Sequence, residues 1–235
     1  MAEFRLAGKC AVTVVAAAML GGCMGSIQAR DVDIKPGTTM LVNPEILEKG
    51  TGNQALYRYV NPKADVASYT QAIIEPVIIN KSGELDAKAR ENYQTLANNG
   101  FVYLTRELRQ DFKLVTTPGP GTLRIQFAII DADSTKPVRN FIGSVDPVGI
   151  GLSLVDFGAT GKMMGVGEIT GEVRITNAQT GELLAAAIDR RVGGRSIKGT
   201  FLLWEDANAG MEYWAKRMRF VLCEQRGKGD CVNPD

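Results

Sequence analysis

The chain has 235 residues, of which 45% are hydrophobic and 23% charged, a composition typical of a folded globular protein. Its 27 basic and 26 acidic residues give a net charge of +1, which is too small for a surface that holds nucleic acid electrostatically. The sequence contains no histidine, and this excludes histidine-dependent catalytic triads and histidine zinc sites. We therefore expect no enzymatic activity, no metal and no cofactor.

The first 22 residues are predicted to be a lipoprotein signal peptide. Arg5 and Lys9 form a short basic start, and residues 10–20 are apolar apart from one threonine. This stretch is too short to cross a bilayer but has the length of a signal-peptide core. Leu20-Gly21-Gly22-Cys23 then resembles a bacterial lipobox, in which Cys23 is acylated and becomes the new N-terminus. An ordinary secretory peptide is the alternative.

The residue after Cys23 bears on the destination of the protein. In Gram-negative lipoproteins an aspartate at this position typically causes retention at the inner membrane, and here the residue is Met24. The sequence therefore predicts a lipid anchor in the cell outer membrane, with the protein facing the periplasm. The acyl chains are the expected membrane contact, since each buried methylene contributes about 0.8 kcal/mol.

Two cysteines remain once the signal peptide and the acylation site are set aside. The periplasm is oxidising, so Cys223 and Cys231 are predicted to form an intramolecular disulfide that closes a loop of about nine residues. Free thiols are the alternative. A redox or metal role is not favoured, because the spacing is not Cys-x-x-Cys and no histidine can complete a metal site.

The mature chain is predicted to consist of a tether, one domain and a short tail. Residues 23–55 have the glycines and prolines of a lipidated tether with little periodicity. Four apolar residues within the tether could still pack against the domain: Met40, Leu41, Ile46 and Leu47. Residues 56–222 are predicted to form a single α+β periplasmic domain, and residues 223–235 a disulfide-stapled tail.

The domain begins with a predicted strand, helix and short strand. Residues 69–80 are rich in β-branched side chains, and Pro76 within them indicates an edge position or a bulge. Apolar residues recur at three- and four-residue steps over residues 85–111 and predict a long helix. The helical pattern is weakened in its middle by Asn98-Asn99-Gly100. A short strand is expected over residues 112–116.

Three alternating segments and a helix complete the domain. Residues 122–131, 167–176 and 182–190 alternate like half-buried strands, and the turn at residues 177–181 joins the last two into a hairpin. In the middle segment, the residues expected to face solvent are Glu168, Thr170, Glu172 and Arg174. An amphipathic pattern from Leu203 to Val221 predicts a C-terminal helix. Together these elements predict an α+β fold, with a mainly antiparallel sheet and both helices packed on one face.

Three motifs that could carry chemistry lack a required part. Residues 156–163 lack the first glycine and the final serine or threonine of a phosphate-binding loop. Gly165-Val166-Gly167 lacks the third glycine of a dinucleotide-binding turn. Asp131 and Asp133 share one strand face that we expect to be solvated, so they are not a favoured acid/base pair.

Two segments are candidates for interaction. Residues 189–198 form the densest basic stretch, with Arg190, Arg191, Arg195 and Lys198. We expect a solvated loop in which Asp189 pairs with an arginine, and the alternative is a contact with anionic lipid, polymer or a protein partner. Residues 140–160 are apolar and rich in glycine. A loop tucked under the sheet is favoured there over an exposed patch for membrane contact or self-association, and Ile150 and Leu154 are its representative residues.

Several motifs together resemble one family of bacterial lipoproteins, domain of unknown function 3313. They are Tyr57-Arg58-Tyr59-Val60-Asn61-Pro62, Pro118-Gly119-Pro120-Gly121-Thr122-Leu123-Arg124, Ala159-Thr160-Gly161-Lys162, Gly165-Val166-Gly167-Glu168, Thr180-Gly181-Glu182-Leu183-Leu184-Ala185-Ala186, Asp189-Arg190-Arg191, Trp204 and Tyr213-Trp214-Ala215. The family has no assigned activity, so the resemblance implies lipidation and an envelope location only.

The function predicted from the sequence is that of a non-catalytic binding or scaffolding lipoprotein of the outer membrane. A subunit of an oligomeric envelope export or pore assembly is the first alternative, with residues 140–160 as the contact. An envelope hydrolase that works without histidine is the second. The expected partners are the membrane, through the acyl chains, and an envelope protein or a second copy of the chain.

Overall fold

The computed structural model describes residues 27–30, 39–82, 87–130, 152–155, 168–192 and 203–235. Across these residues ten strands form one sheet, and two long helices lie against one of its faces. The strands are β1 (Ile27–Gln28), β2 (Glu48–Lys49), β3 (Tyr57–Val60), β4 (Gln71–Ile74), β5 (Ile78–Ser82), β6 (Lys113–Leu114), β7 (Thr122–Ile130), β8 (Leu152–Val155), β9 (Glu168–Asn177) and β10 (Leu183–Val192). The helices are α1 (Ala87–Leu108) and α2 (Leu203–Gln225). Within the described ranges, neither helix is long and apolar enough to cross a membrane.

The sheet combines an antiparallel part with a parallel part. Its main path runs β2-β3-β10-β9-β7-β4-β6, with β1 beside β10 and β5 between β7 and β8. Every pair from β2 to β7 is antiparallel, as the predicted α+β fold requires. By contrast, β4 and β5 run parallel to β7. The sequence did not predict these parallel pairs, which form because α1 returns the chain to the end of the sheet where β4 begins.

A bulge at Pro76 interrupts the first predicted strand. Ile74 lies opposite Ile125 and Ile78 lies opposite Ala128, so three residues of this strand face two residues of β7. Proline has no backbone N–H to donate, and the extra residue lets the ladder of hydrogen bonds pass over it. The bulge that the proline indicated is confirmed, and it divides the strand into β4 and β5.

The predicted hairpin is formed by β9 and β10. Asn177 Oδ1 accepts hydrogen bonds from the backbone N–H groups of Gln179 at 2.9 Å and Thr180 at 3.1 Å. Gly181 has a φ of 76°, a conformation that residues with a side chain adopt only at a cost. The two strands are ten residues long each and form the longest antiparallel pair of the sheet.

The two helices contact each other at Gly100 of α1. A Cβ at this position would collide with the terminal methyl group of Met211 in α2. Beside it, Asn99 Nδ2 donates a hydrogen bond to Asn208 Oδ1 at 2.8 Å. The residues that weaken the helical pattern of α1 therefore form its contact with α2, where a small side chain and a polar pair fit the space between the helices.

The sheet face opposite the helices is covered by residues from the N-terminal part of the domain. Glu172 of β9 points to this face and is fully buried. Its carboxylate accepts backbone N–H hydrogen bonds from Met40 at 2.8 Å, Leu41 at 3.0 Å and Val42 at 2.8 Å. The expectation that Glu172 faces solvent is therefore wrong, because the chain folds back over this face and satisfies the buried carboxylate.

The described part of the predicted tether belongs to the folded domain. β1 pairs with β10, and β2 pairs with β3. Met40, Leu41 and Leu47 do pack against the domain, since they lie against a small core on the same face of the sheet. Ile46, by contrast, is 39% exposed. For residues 27–30 and 39–55, the prediction of a tether with little regular structure is wrong.

Cys223 and Cys231 form the predicted disulfide, with their Cα atoms 5.6 Å apart. The bridge ties the end of α2 to the tail, and the intervening loop is held by Asp111. That carboxylate accepts hydrogen bonds from Arg219 at 2.6 Å and Lys228 at 3.0 Å. Burial alone would raise the pKa of Asp111, but the hydrogen bonds and the positive charges of Arg219 and Lys228 together outweigh it and lower the pKa below its usual value.

Candidate functional site

An open groove lies between α2 and the β3 side of the sheet. Strands β3, β9 and β10 form its floor and α2 forms its wall, and the cavity has a volume of about 300 Å³. We call it the α2 groove. Its apolar lining consists mainly of Val60, Val173, Ala185, Ala187, Met218, Val221 and Leu222.

The groove exists because β10 contributes small side chains to its floor. Ala187 lies in register between Arg58 of β3 and Val173 of β9, on the face that α2 approaches. Ala187 and Val173 are only partly buried, and Val221 on the wall is 37% exposed. Apolar surface on the floor and on the wall therefore remains open to solvent, and a ligand could cover it.

Trp214 fixes the position of α2 on the sheet and closes the groove on its inner side. Its ring lies directly over Gly171 of β9, where an added Cβ would come within 2.7 Å of Trp214 Cζ3 and of Phe127 Cζ. The two aromatic rings pack with their centroids 5.6 Å apart. The absence of a side chain at Gly171 is thus what allows the indole to reach the sheet.

Asp189 of β10 receives the polar edge of the same indole. Its carboxylate accepts hydrogen bonds from Trp214 Nε1 at 2.8 Å, from the backbone N–H of Leu56 at 3.3 Å and from the side chain of Gln28. Only 8% of Asp189 is exposed, and a carboxylate can be buried to this extent because several donors satisfy it. The expectation of a solvated loop is wrong for residues 189–191, which are buried within β10.

Arg191 and Tyr213 stack beside the groove. The guanidinium carbon of Arg191 lies 3.4 Å from the centre of the Tyr213 ring, a cation–π contact. Burial lowers the pKa of Arg191, although Tyr213 and Asp189 oppose this effect. Burial and a hydrogen bond to Asp235 raise the pKa of Tyr213 to about 12. At neutral pH the phenol is therefore protonated and acts as a hydrogen-bond donor.

Three donors that line the groove converge on the carboxylate of Asp235. Asn53 Nδ2 donates to Oδ2 at 3.0 Å, Arg217 Nη1 donates to the same oxygen at 2.8 Å, and the Tyr213 hydroxyl donates to Oδ1. We call Asn53, Tyr213 and Arg217 the groove mouth. Arg217 also donates to Asn233 Oδ1 at 3.0 Å, so the tail beyond the disulfide is held against this end of the groove.

The α2 groove offers an apolar binding surface with polar side chains along its edges. Two carboxylates next to it, Asp189 and Asp235, already accept several hydrogen bonds. A third, Glu224, lines the groove at the C-terminal end of α2. Among the residues that the structure describes, no three metal-ligating side chains come together. The arrangement can bind an apolar molecule and orient a polar end.

The sequence-predicted interaction residues do not come together at this groove, although Arg191 stacks on Tyr213 beside it. Arg190 and Arg191 are 9% and 7% exposed. Neither therefore belongs to an exposed basic surface that could contact an anionic lipid, polymer or protein partner. Leu154 lies in β8, which pairs parallel to β5, and its side chain lies outside the described residues. The remaining candidates also fall outside them: Cys23, Asp131, Asp133, Ile150, Arg195, Lys198 and the motifs at residues 156–163 and 165–167.

The residues that build the groove were missed by sequence reasoning. One signal was available: Gly171 is a glycine inside an alternating strand, which often marks a close approach by another group. The donors of the groove mouth had no such signal, because Asn53, Tyr213 and Asp235 are far apart in sequence and meet only when the tail folds back.

Residues 38–218 match the family described as protein of unknown function DUF3313. The chain belongs to this family. The matched segment includes the groove floor and α2 as far as Met218, together with the Glu172 contacts, and it confirms the resemblance that the motifs indicated. The DUF3313 description assigns no activity, and no match was found among curated proteins.

Solved structures with a distant likeness include a PelC dodecamer from Paraburkholderia phytofirmans, with 9% identity, a TM-score of 0.34, and 73% of this chain and 95% of that chain covered. A DUF4136 family protein from Bacteroides thetaiotaomicron is another, with 12% identity, a TM-score of 0.35, and 72% and 95% of the two chains covered. Likenesses this distant do not bear on the function of the DUF3313 chain.

Proposed function

We propose that this DUF3313 protein is a lipoprotein of the outer membrane whose periplasmic domain binds a ligand in the α2 groove without transforming it. The observation that carries the proposal is the groove itself, an apolar cavity of about 300 Å³ with hydrogen-bond donors at one end. Cavities of this kind, largely apolar with a few convergent polar groups, are the usual form of small-molecule sites.

The walls of the groove explain how affinity would arise. Burial of apolar surface contributes about 25 cal/mol per Å², and Val173, Ala187 and Val221 each present such surface on the floor or the wall. The strands of the floor are hydrogen-bonded to one another, and Trp214 holds α2 against the sheet. A preformed site of this kind loses little conformational entropy when it binds.

Filling the groove tests the proposal. We expect Ala187→Phe to lower the affinity for phenylnaphthylamine, a neutral apolar fluorophore, by about tenfold or more, since its ring would occupy the floor. The measurement is a fluorescence titration of residues 24–235, the mature chain without its acylated cysteine, which contains every described contact. Val102→Phe is the matched control, because Val102 is 56% exposed on α1, away from the groove. Unchanged binding by Ala187→Phe would exclude the groove as the site.

The lipid anchor has its own test. In a Gram-negative host, Cys23→Ser is expected to abolish labelling by radioactive palmitate and to leave unprocessed precursor, because the thiol is the acceptor of the lipid. Cys10→Ser is the control, since Cys10 lies inside the signal peptide and labelling should persist. Labelling and membrane retention that survive Cys23→Ser would show that the lipobox interpretation is wrong.

Self-association through residues 140–160 stays a prediction. Of its two representative residues, Ile150 lies outside the described part of the chain, and Leu154 lies in a strand that pairs with β5. Light scattering of residues 24–235, with Ile150→Asp as the variant, would distinguish an assembly subunit from a monomeric binding module.

A further inference from the structure

The groove mouth shows which polar group it accommodates. Its three donors come from the loop before β3 and from two consecutive turns of α2, yet all of them reach one carboxylate. Arginine, amide and phenol groups donate hydrogen bonds at this point, and an anionic acceptor strengthens each of them. The observed occupant, Asp235, is therefore a guide to the head group of a ligand.

Asp235 is the exchangeable negative charge at this end of the groove. Arg191 and Arg217 bring two guanidinium groups to Tyr213, Arg191 by stacking and Arg217 through the shared carboxylate. Of the other two carboxylates near the groove, Asp189 is buried among donors of its own, and Glu224 lies about two turns of α2 beyond Arg217. The side chain of Asp235 is 23% exposed, and that of its partner Arg217 is 19% exposed. Asp235 can leave the mouth without disturbing β10, and its departure exposes a positive site.

The positive site leads directly into the apolar part of the groove. Tyr213, Arg217 and Val221 follow at four-residue steps and share one side of α2. From Tyr213 to Gln225, the last lining residue, the helix advances about 18 Å. A ligand that fits this lining has an anionic head at one end and an extended apolar chain behind it.

We propose that the α2 groove binds a single-chain carboxylate amphiphile of the fatty-acid class. The carboxylate takes the place of the Asp235 side chain at the groove mouth, and the alkyl chain lies over the alanines of β10. Asp235 occupies the head position when no ligand is bound, and so it lowers the apparent affinity by competition. This inference rests on the proposed function of the groove as a binding site.

The competition is tested with dodecanoate as the probe, below its micelle concentration, by calorimetry on residues 24–235. Asp235→Asn is expected to bind dodecanoate about threefold to tenfold more tightly than the unmodified chain, because the apparent affinity rises with the fraction of molecules whose head position is open. Asp230→Asn is the matched control, since it removes the same charge from an exposed position in the same tail and should leave the affinity unchanged.

The head contact is tested with Arg217→Gln. This variant is expected to lose about tenfold in dodecanoate affinity. Its urea unfolding transition, followed by far-UV circular dichroism, should stay cooperative, which shows that the variant is folded. Dodecyltrimethylammonium should bind the unmodified chain at least about tenfold more weakly than dodecanoate. Equal affinities of Asp235→Asn and the unmodified chain, or undiminished dodecanoate binding by Arg217→Gln, would overturn the inference. If phenylnaphthylamine also fails to bind, the proposed function of the groove fails with it.

Discussion

Glu172→Ala is expected to lower the free energy of unfolding by about 3 to 5 kcal/mol, because it leaves three backbone donors, one buried and two partly buried, without an acceptor. Met40, Leu41 and Val42 all donate to this carboxylate, and each unsatisfied buried donor costs about 1 to 3 kcal/mol. Part of this cost is offset, since the variant no longer buries a charged group. Urea denaturation measures the change, and amide hydrogen exchange should show lost protection at residues 40–42.

The matched control is Glu48→Ala. Glu48 is an exposed glutamate of the same N-terminal segment, and its removal should change the stability by no more than about 0.5 kcal/mol. A stability of Glu172→Ala within about 1 kcal/mol of the unmodified chain, the least cost of a single unsatisfied donor, would contradict the structural role given to Glu172.

The same carboxylate is expected to make the stability depend on pH. Burial raises the pKa of Glu172 above its ordinary value of 4.5, although the three backbone donors oppose it. The folded state therefore binds this proton more tightly than the unfolded state. The resulting contribution to stability is fully present below the unfolded-state pKa and is lost as the pH rises through the raised folded-state pKa. The difference in stability between the unmodified chain and Glu172→Gln, measured from pH 4 upward, should show this decline.

Gly171→Ala is expected to destabilise the domain by about 2 to 4 kcal/mol and to displace Trp214. The new methyl group would lie 2.7 Å from the rings of both Trp214 and Phe127, and overpacking of this kind costs about 1 to 3 kcal/mol. The indole has little freedom to move, because Trp214 Nε1 donates to the buried Asp189 at 2.8 Å. Displacement weakens that hydrogen bond, which adds about 1.5 kcal/mol or more since its acceptor is charged.

Thermal and urea unfolding measure the loss of stability, and a shift of the tryptophan emission reports the displacement. Gly229→Ala is the control, because a Cβ at Gly229 would meet nothing within 4 Å, and it should leave stability and emission unchanged. If Gly171→Ala matches the unmodified chain in both measurements, the close approach of α2 to β9 is not what holds the wall of the groove in place.

The candidate site depended on contacts that no local pattern encodes. The sequence predicts that Arg190 and Arg191 are exposed to solvent, because two adjacent arginines are rarely buried. The structure buries them, since Tyr213 stacks on Arg191 and the strand continues through both residues. The apolar floor of the groove was equally hidden, because Ala185 and Ala187 have no distinctive signal in an alternating strand. The groove is the part of the sheet surface beside α2 that the helix does not cover.

Local sequence determined the elements and their order. Alternation determined β7, β9 and β10, because side chains on a strand point to opposite faces, and the missing N–H of Pro76 determined the bulge between β4 and β5. The tertiary structure decided what covers each face. Glu172 does lie opposite the helix-packed face, as its place in the alternation requires. Whether that face meets water or protein depended on residues 39–47, more than a hundred positions away, whose backbone donors make burial of the carboxylate possible.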